Sequence, residues 1–314
     1  MRLGVLDVGS NTVHLLVVDA HPGAHPTPMH DHRAVLRLSE HVDDDNLLSK
    51  AGEKALLRAV QDACDEAQAQ GCDELLALVT SAIREATNGL EVLDRIRHRT
   101  GVDLQVLSGE EEAQLTFLAV RRWFGWSAGQ LLVLDIGGGS LELASGIDEI
   151  PDVALSLPLG AGRMTRRFLP AARVGGRPDL VALGELDAYA TGLLGPAAKR
   201  LRTAGSPDLV AATSKTFRTL ARLAGAAPSS AGLRASRKLS ATGLGQVVEF
   251  VSRIESGALA ELPGVSANRA HQVPAGAVVA AATLRALDVR FVRICPWALR
   301  EGVILRRLDS LGGA

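Results

Sequence analysis

Two short segments carry residues able to do phosphate chemistry: Asp7-Val8-Gly9-Ser10-Asn11-Thr12 and Asp135-Ile136-Gly137-Gly138-Gly139-Ser140. In each, an apolar run ends beside an aspartate and breaks into glycine and small polar residues. Such a turn exposes successive backbone N–H groups that cannot all pair within a sheet, and a concavity lined by them binds phosphate. Glycine suits it because a Cβ would block close approach. Gly9, Ser10, Asn11 and Thr12 form one candidate cradle, and Gly137, Gly138, Gly139 and Ser140 the other. Alone, either turn reads first as a structural hairpin connection or bulge. Two matched turns, each behind a strand-ending aspartate, point to a site between two lobes.

Asp7 and Asp135 each follow an apolar strand, where a buried carboxylate needs a cation or hydrogen-bond donors. Mg²⁺ fits, because it binds one or two carboxylates together with substrate phosphate oxygens and water. Glu142, two residues beyond Ser140, can share that role; the alternative for each acid is a turn cap accepting backbone N–H bonds. Ser108-Gly-Glu-Glu-Glu-Ala113 reads as a helix start with Ser108 as cap and acids in the first turn, which by itself accounts for its glutamates. Arg84 either faces water or holds a phosphate bidentately. P-loop, dinucleotide and nucleophile-elbow motifs are absent. Six of the eight histidines fall between His14 and His41 at irregular spacing that predicts no metal site, and Cys64, Cys72 and Cys295 suggest neither a disulfide framework nor a zinc site.

The elements that must position these groups follow from periodicity. Residues 3–20 predict a hairpin with its turn at Gly9–Asn11, and 29–42 a further strand region. A helix is expected over 49–70, capped by Ser49, with Ala51, Ala55, Leu56, Ala59, Val60 and Ala63 on one face. A strand at 74–80, a short helix in SAIREATN, a helix at 88–99 and a strand at 102–107 complete an α/β lobe. The segment 130–146 repeats the hairpin, which suggests internal duplication. Helices are expected near 160–169, 180–203, 214–224, 240–256, 275–287 and 298–310, strands near 152–157, 208–212 and 289–294, and loops at 170–178 and 225–232.

At 314 residues the chain exceeds one comfortable core, so two lobes are expected. With 47% hydrophobic and 22% charged residues it is a folding globular chain. No long apolar run or leader pattern is seen, so neither secretion nor a membrane partner is expected and a cytoplasmic location is. Residues 1–110 hold 10 Lys/Arg and 18 Asp/Glu (net −8) and residues 111–314 hold 24 and 17 (net +7), so the second region could attract a polyanion. Aromatics at 3% supply few stacking platforms, which argues against nucleic acid as the partner.

Six blocks, DVGSNT at 7–12, TSAIREATN at 80–88, SGEEEA at 108–113, DIGGGSLEL at 135–143, SLPLGAGRMT at 156–165 and ALREGVI at 298–304, occur in the order of one family. Over nearly its whole length the chain resembles the exopolyphosphatase/guanosine pentaphosphate phosphatase (Ppx/GppA) family of the actin, sugar kinase and heat-shock ATPase superfamily. The resemblance implies an α/β fold of two actin-like (ribonuclease H-like) domains with an interdomain cleft. Domain I would span 1–110, with a C-terminal helix at about 297–314 packing back on it, and domain II 111–296. By position, Glu112 matches the catalytic glutamate that activates water. Asp135 and Glu142 match metal-linked acids, to which Asp7 is added. Ser10, Asn11, Arg84 and Gly137 to Ser140 match phosphate-contacting positions. Thr12, Arg163 and Lys215 complete the candidate substrate set. At 210–220, VAATSKTFRTL stands where many members carry a more Gly/Thr-rich turn.

The implied activity is release of terminal phosphate from inorganic polyphosphate, with Mg²⁺ (Mn²⁺ as alternative) as cofactor. Arg163, Arg166, Arg167, Arg234, Arg237 and Lys238 would form a polyanion track. Longer members carry extra C-terminal helical domains and this chain ends at Ala314, so short polyphosphates are the expected substrates. A homodimer is expected by analogy. The alternatives are a guanosine pentaphosphate 5′-phosphohydrolase, a sugar or acetate kinase, and a non-catalytic polyphosphate or nucleotide sensor.

Overall fold

The computed structural model describes residues 1–21, 25–43 and 45–312, so the last two residues of the C-terminal helix expected at 297–314 lie outside the described residues. Contacts divide the chain into two units, Met1–Leu115 with Leu299–Ala314, and Thr116–Ala298. Among the described residues no helix is long and apolar enough to cross a membrane.

In unit 1, β1 (Arg2–Val8) and β2 (Thr12–Asp19) form the hairpin, followed by β3 (His30–Val35), α1 (Lys50–Ala69), β4 (Glu74–Val79), α2 (Ser81–Arg84), α3 (Gly89–Thr100) and β5 (Gln105–Val106). Next, α4 (Gly109–Phe124) runs across the boundary between the units. The sheet order is β3-β2-β1-β4-β5, with β1 antiparallel to β2 and parallel to β4. Both faces of this sheet are covered, which is why its central strands read as continuous apolar runs. Leu6, Val8, Val13, Leu15 and Val17 pack with Leu56, Ala59, Val60 and Ala63 of α1 and with Val92 and Ile96 of α3. Leu3, Val5, Leu16 and Val18 pack on the other face.

Unit 2 contains β6 (Leu131–Ile136), β7 (Leu141–Gly146), β8 (Val153–Leu157), α5 (Ala161–Phe168), α6 (Pro170–Arg173), α7 (Leu180–Arg202), β9 (Leu209–Thr213), α8 (Ser214–Leu223), β10 (Lys238–Ser240), α9 (Ala241–Val251), α10 (Ser256–Leu259), α11 (Val273–Ala286) and β11 (Phe291–Ile294). Its sheet runs β10-β11-β9-β6-β7-β8. Read from β8 to β11, it repeats the unit 1 order: an antiparallel meander followed by two parallel strands. This is the ribonuclease H-like, actin-type α/β arrangement, present twice. The almost entirely buried α11, in contact with α7 and α9, forms the centre of the unit 2 core.

Finally, α12 (Leu299–Gly312) completes unit 1, placing Leu299, Val303, Ile304 and Leu308 on the face of Leu3, Val5, Leu16 and Val18. Gly302 is required there, since a Cβ at this position would lie 1.9 Å from the Leu115 carbonyl oxygen of α4.

The edges differ from the sequence reading. The strand region expected at 29–42 ends at Val35, because Arg37 adopts φ 50° and the Leu36 and Arg37 amides donate to Asn11 O instead of continuing the ladder. The strand expected at 102–107 keeps only Gln105–Val106, two rungs beside β4. The helix expected at 240–256 stops at Val251, the loop at 170–178 contains the single turn α6, and β10 was not anticipated. On α1, Ala51 is exposed and the buried face begins at Gly52 and Leu56, with Ser49 Oγ accepting the Gly52 amide at 3.2 Å.

Candidate functional site

In unit 1 the turn after β1 is closed by Gly9 N–H donating to Thr12 O at 3.0 Å. Ser10 and Asn11 are buried, and Asn11 O accepts the amides of Leu36 and Arg37, each at 3.0 Å, which ties the turn to the end of β3. Behind the turn lies α2, whose preceding Thr80 donates its N–H to Val8 O at 3.1 Å. This one-turn helix projects Arg84, whose Nη1 donates to Leu107 O at 2.8 Å and to Glu112 Oε2 at 3.2 Å.

The three glutamates at the start of α4 separate by partner. Ser108 N–H donates to Glu111 Oε2 at 2.8 Å and Glu111 N–H donates to Ser108 Oγ at 3.1 Å, a reciprocal capping box. Accepting the Ser108 amide, then the Ser108 hydroxyl, with a smaller contribution from Arg306, holds the Glu111 carboxyl below the usual range. Glu110 is exposed. Glu112, on the inward side of the helix, keeps only 15% of its side chain exposed and pairs with Arg84. The helix start therefore uses Glu111, leaving Glu112 for another role.

In unit 2 Gly137 N–H donates to Ser140 O at 2.9 Å, repeating the Gly9–Thr12 closure. The carbonyls of this turn are taken by the start of α5: Gly160 N–H donates to Gly139 O, Ala161 N–H to Gly137 O and Arg163 N–H to Gly138 O. Gly160 permits this approach, since its Cβ would lie 2.2 Å from the Gly139 carbonyl carbon. The N–H groups of Gly138, Gly139 and Ser140 have no partner among the described residues. Fixed carbonyls on one side and unpaired N–H groups on the other make the turn a candidate anion cradle.

The strand register sets the acids. Asp135 pairs across the hairpin with Glu142, and Glu142 in turn faces Ser156, whose hydroxyl donates to Glu142 Oε1 at 2.9 Å. The corresponding row of unit 1 is Asp7, His14 and Arg33. His14, buried, holds Asp31 Oδ2 at 2.5 Å. Cross-strand partners lie on one face about 5 Å apart, so unit 2 presents two adjacent carboxylates where unit 1 presents a carboxylate beside an imidazole. Among the described residues no group of three His, Cys, Asp or Glu side chains forms a metal cage.

The remaining candidates take other places. Arg163 braces the glycine turn, its Nε donating to Gly139 O at 2.8 Å. Lys215, next to Ser214 with its left-handed φ of 75°, lines a cavity with Thr216, Arg269, Gln272 and Ala161. Of the expected polyanion track, Arg237 is structural: it donates to the carbonyls of Ala227, Pro228, Gly232 and Ala235, which pin the 227–235 loop. Arg167 lies 4.2 Å from the Tyr189 ring centroid and Lys238 5.3 Å from that of Phe291. The sequence reading also missed Arg121, fully buried, whose Nη2 donates to Gly129 O and Gly146 O and anchors both outer ends of the β6–β7 hairpin. Burial lowers its pKa. Its signal, an arginine on the apolar face of a helix, is visible only once that face is known.

The model of the Ppx/GppA phosphatase family matches residues 16–311. The chain belongs to this family. It is 58% identical over 310 residues to Exopolyphosphatase 1 of Mycobacterium tuberculosis, covering 99% of this chain and 89% of the relative. The Mycobacterium leprae protein of the same name is 56% identical, covering 99% and 90%. In fold it resembles an exopolyphosphatase from Cytophaga hutchinsonii, with a TM-score of 0.87 at 23% identity over 99% and 98% of the two chains. The Aquifex aeolicus Ppx/GppA family member gives 0.79 at 21% identity, covering 99% and 98%.

Proposed function

We propose that this family member is an exopolyphosphatase, a phosphoanhydride hydrolase that releases orthophosphate from the end of inorganic polyphosphate. The observation that carries the mechanism is the selective placement of Glu112: half-buried, paired with Arg84, and not needed by the cap that employs Glu111. The names and identity of the mycobacterial relatives support the substrate class.

Glu112 accepts the proton of the attacking water as its oxygen bonds to the terminal phosphorus; the bridging P–O bond breaks and the shortened chain leaves. Arg84 orients Glu112. Within unit 1 the turn of Ser10, Asn11 and Thr12 offers donors to phosphoryl oxygens, and within unit 2 the N–H groups of Gly138, Gly139 and Ser140 offer the equivalent donors. Asp135 and Glu142, adjacent hard oxygen donors, fit a divalent cation, Mg²⁺ with Mn²⁺ as the alternative. When bound, the ion neutralises charge on the phosphate oxygens. Asp7, next to His14, is the unit 1 counterpart of Asp135.

The test is phosphate release from short polyphosphate, long polyphosphate and guanosine pentaphosphate, assayed in parallel with Mg²⁺, with Mn²⁺ and with chelator. Metal-dependent release, fastest from short polyphosphate, is expected. No release from either polyphosphate with either metal would overturn the proposal.

A further inference from the structure

Ser81 and Ser10 form a buried hydroxyl pair. Their Oγ atoms lie 3.0 Å apart, and the two residues are 3% and 5% exposed. Neither makes any other side-chain hydrogen bond among the described residues. Two hydroxyls carry two protons, and the contact between them uses one. The second is therefore a buried donor without a protein acceptor among the described residues, and leaving such a group unpaired is costly. Ser10 stands in the turn proposed to receive phosphoryl oxygens, whereas Ser81 stands on α2 behind it. Either hydroxyl can donate in this contact; when Ser81 donates to Ser10, the Ser10 proton is left to donate outward from the turn, where an anion would accept it.

The backbone at Ser81 is fixed. Thr80 N–H is held by Val8 O, and Glu85 N–H donates to Ser81 O at 3.1 Å. Gly89 of α3 lies so close that a Cβ on it would be 2.3 Å from Ile83 O. The same single turn carries Arg84 to Glu112. One rigid element thus reaches both the phosphate cradle and the water-activating carboxylate, through separate side chains.

We propose that Ser81 is a positioning residue that orients the Ser10 hydroxyl as a donor to a phosphoryl oxygen, an assignment that rests on the function proposed above. Because the bond serves the bound anion and Glu112 keeps its own partner, losing it should affect binding more than turnover. S81A should raise KM for short polyphosphate and the competitive Ki of orthophosphate about tenfold, with kcat within about threefold. S10A should match it, and S10A/S81A should be no worse than S10A alone, because the two hydroxyls act as one unit. S81T, which keeps the hydroxyl, should recover most of the loss; if its methyl group prevents folding, the comparison of S81A, S10A and the double variant decides. Unchanged KM and Ki in S81A, or multiplicative losses in the double variant, would overturn the assignment. Calorimetric titration with orthophosphate gives the same comparison without turnover. If the parent releases no phosphate from polyphosphate, the functional reading fails, yet the titration still tests whether Ser81 acts through Ser10.

Discussion

Replacing neighbouring glutamates at the start of α4 should separate catalysis from folding. In E112Q the side chain keeps its shape and an oxygen that can accept the 3.2 Å bond from Arg84 Nη1, so the charge assistance of that half-buried bond is lost, about 1 kcal/mol. Turnover should suffer far more. A positioned base contributes about 10² to 10⁴ in rate, and a hundredfold fall corresponds to about 2.7 kcal/mol of barrier. In E111A the order reverses. The variant loses the carboxylate that accepts Ser108 N–H at 2.8 Å, a cap worth about 0.5–1 kcal/mol at this exposed position, and should melt about 1–2 °C lower with kcat unchanged. The assay is steady-state orthophosphate release from short polyphosphate, run beside thermal unfolding of parent, E111A and E112Q. A kcat for E112Q within threefold of the parent, or a loss in E111A equal to that in E112Q, would refute the role given to Glu112.

Three further outcomes follow from particular contacts. G302A drives a methyl group to 1.9 Å from the Leu115 carbonyl oxygen and should cost about 2–3 kcal/mol in urea unfolding as α12 is forced off α4; parent-like stability would contradict the packing. Glu111, with its carboxyl held below the usual range by the Ser108 amide and hydroxyl, contributes stability that is present above about pH 4.3 and lost as pH falls through its folded value. Exposure keeps that contribution below about 1 kcal/mol, and urea midpoints at pH 6 and pH 3.5 should differ less for E111Q than for the parent; equal differences would remove the effect. R237A breaks four bonds to loop carbonyls and should lower stability by about 1–2 kcal/mol without changing the KM ratio of long to short polyphosphate, and a selective rise for long chains would restore Arg237 to a substrate track.

The elements that could be read from the sequence were those whose own residues determine them. The two hairpins follow from continuous apolar strands around glycine turns, and α1 from its spacing and Ser49. The seven-residue interval between Asp135 and Glu142 around a tight turn already contains their pairing. Edge strands were misjudged because their ends depend on a neighbour: β3 stops where Asn11 O captures two amides, and β10 exists because β11 lies beside it. Ser108-Gly-Glu-Glu-Glu announced a cap but did not say which glutamate would serve it.

By itself, the sequence determined the duplicated strand–turn–strand units, their glycine cradles and the acids flanking them, since these arise from residues within a few positions of one another. Tertiary structure decided the long-range pairings. Ser10 meets Ser81 across 71 positions because β1 and β4 lie parallel in one sheet, and Arg84 meets Glu112 across 28 because β5 lies parallel beside β4. The division of labour among Glu110, Glu111 and Glu112 was settled the same way, by which face of α4 turned toward a partner.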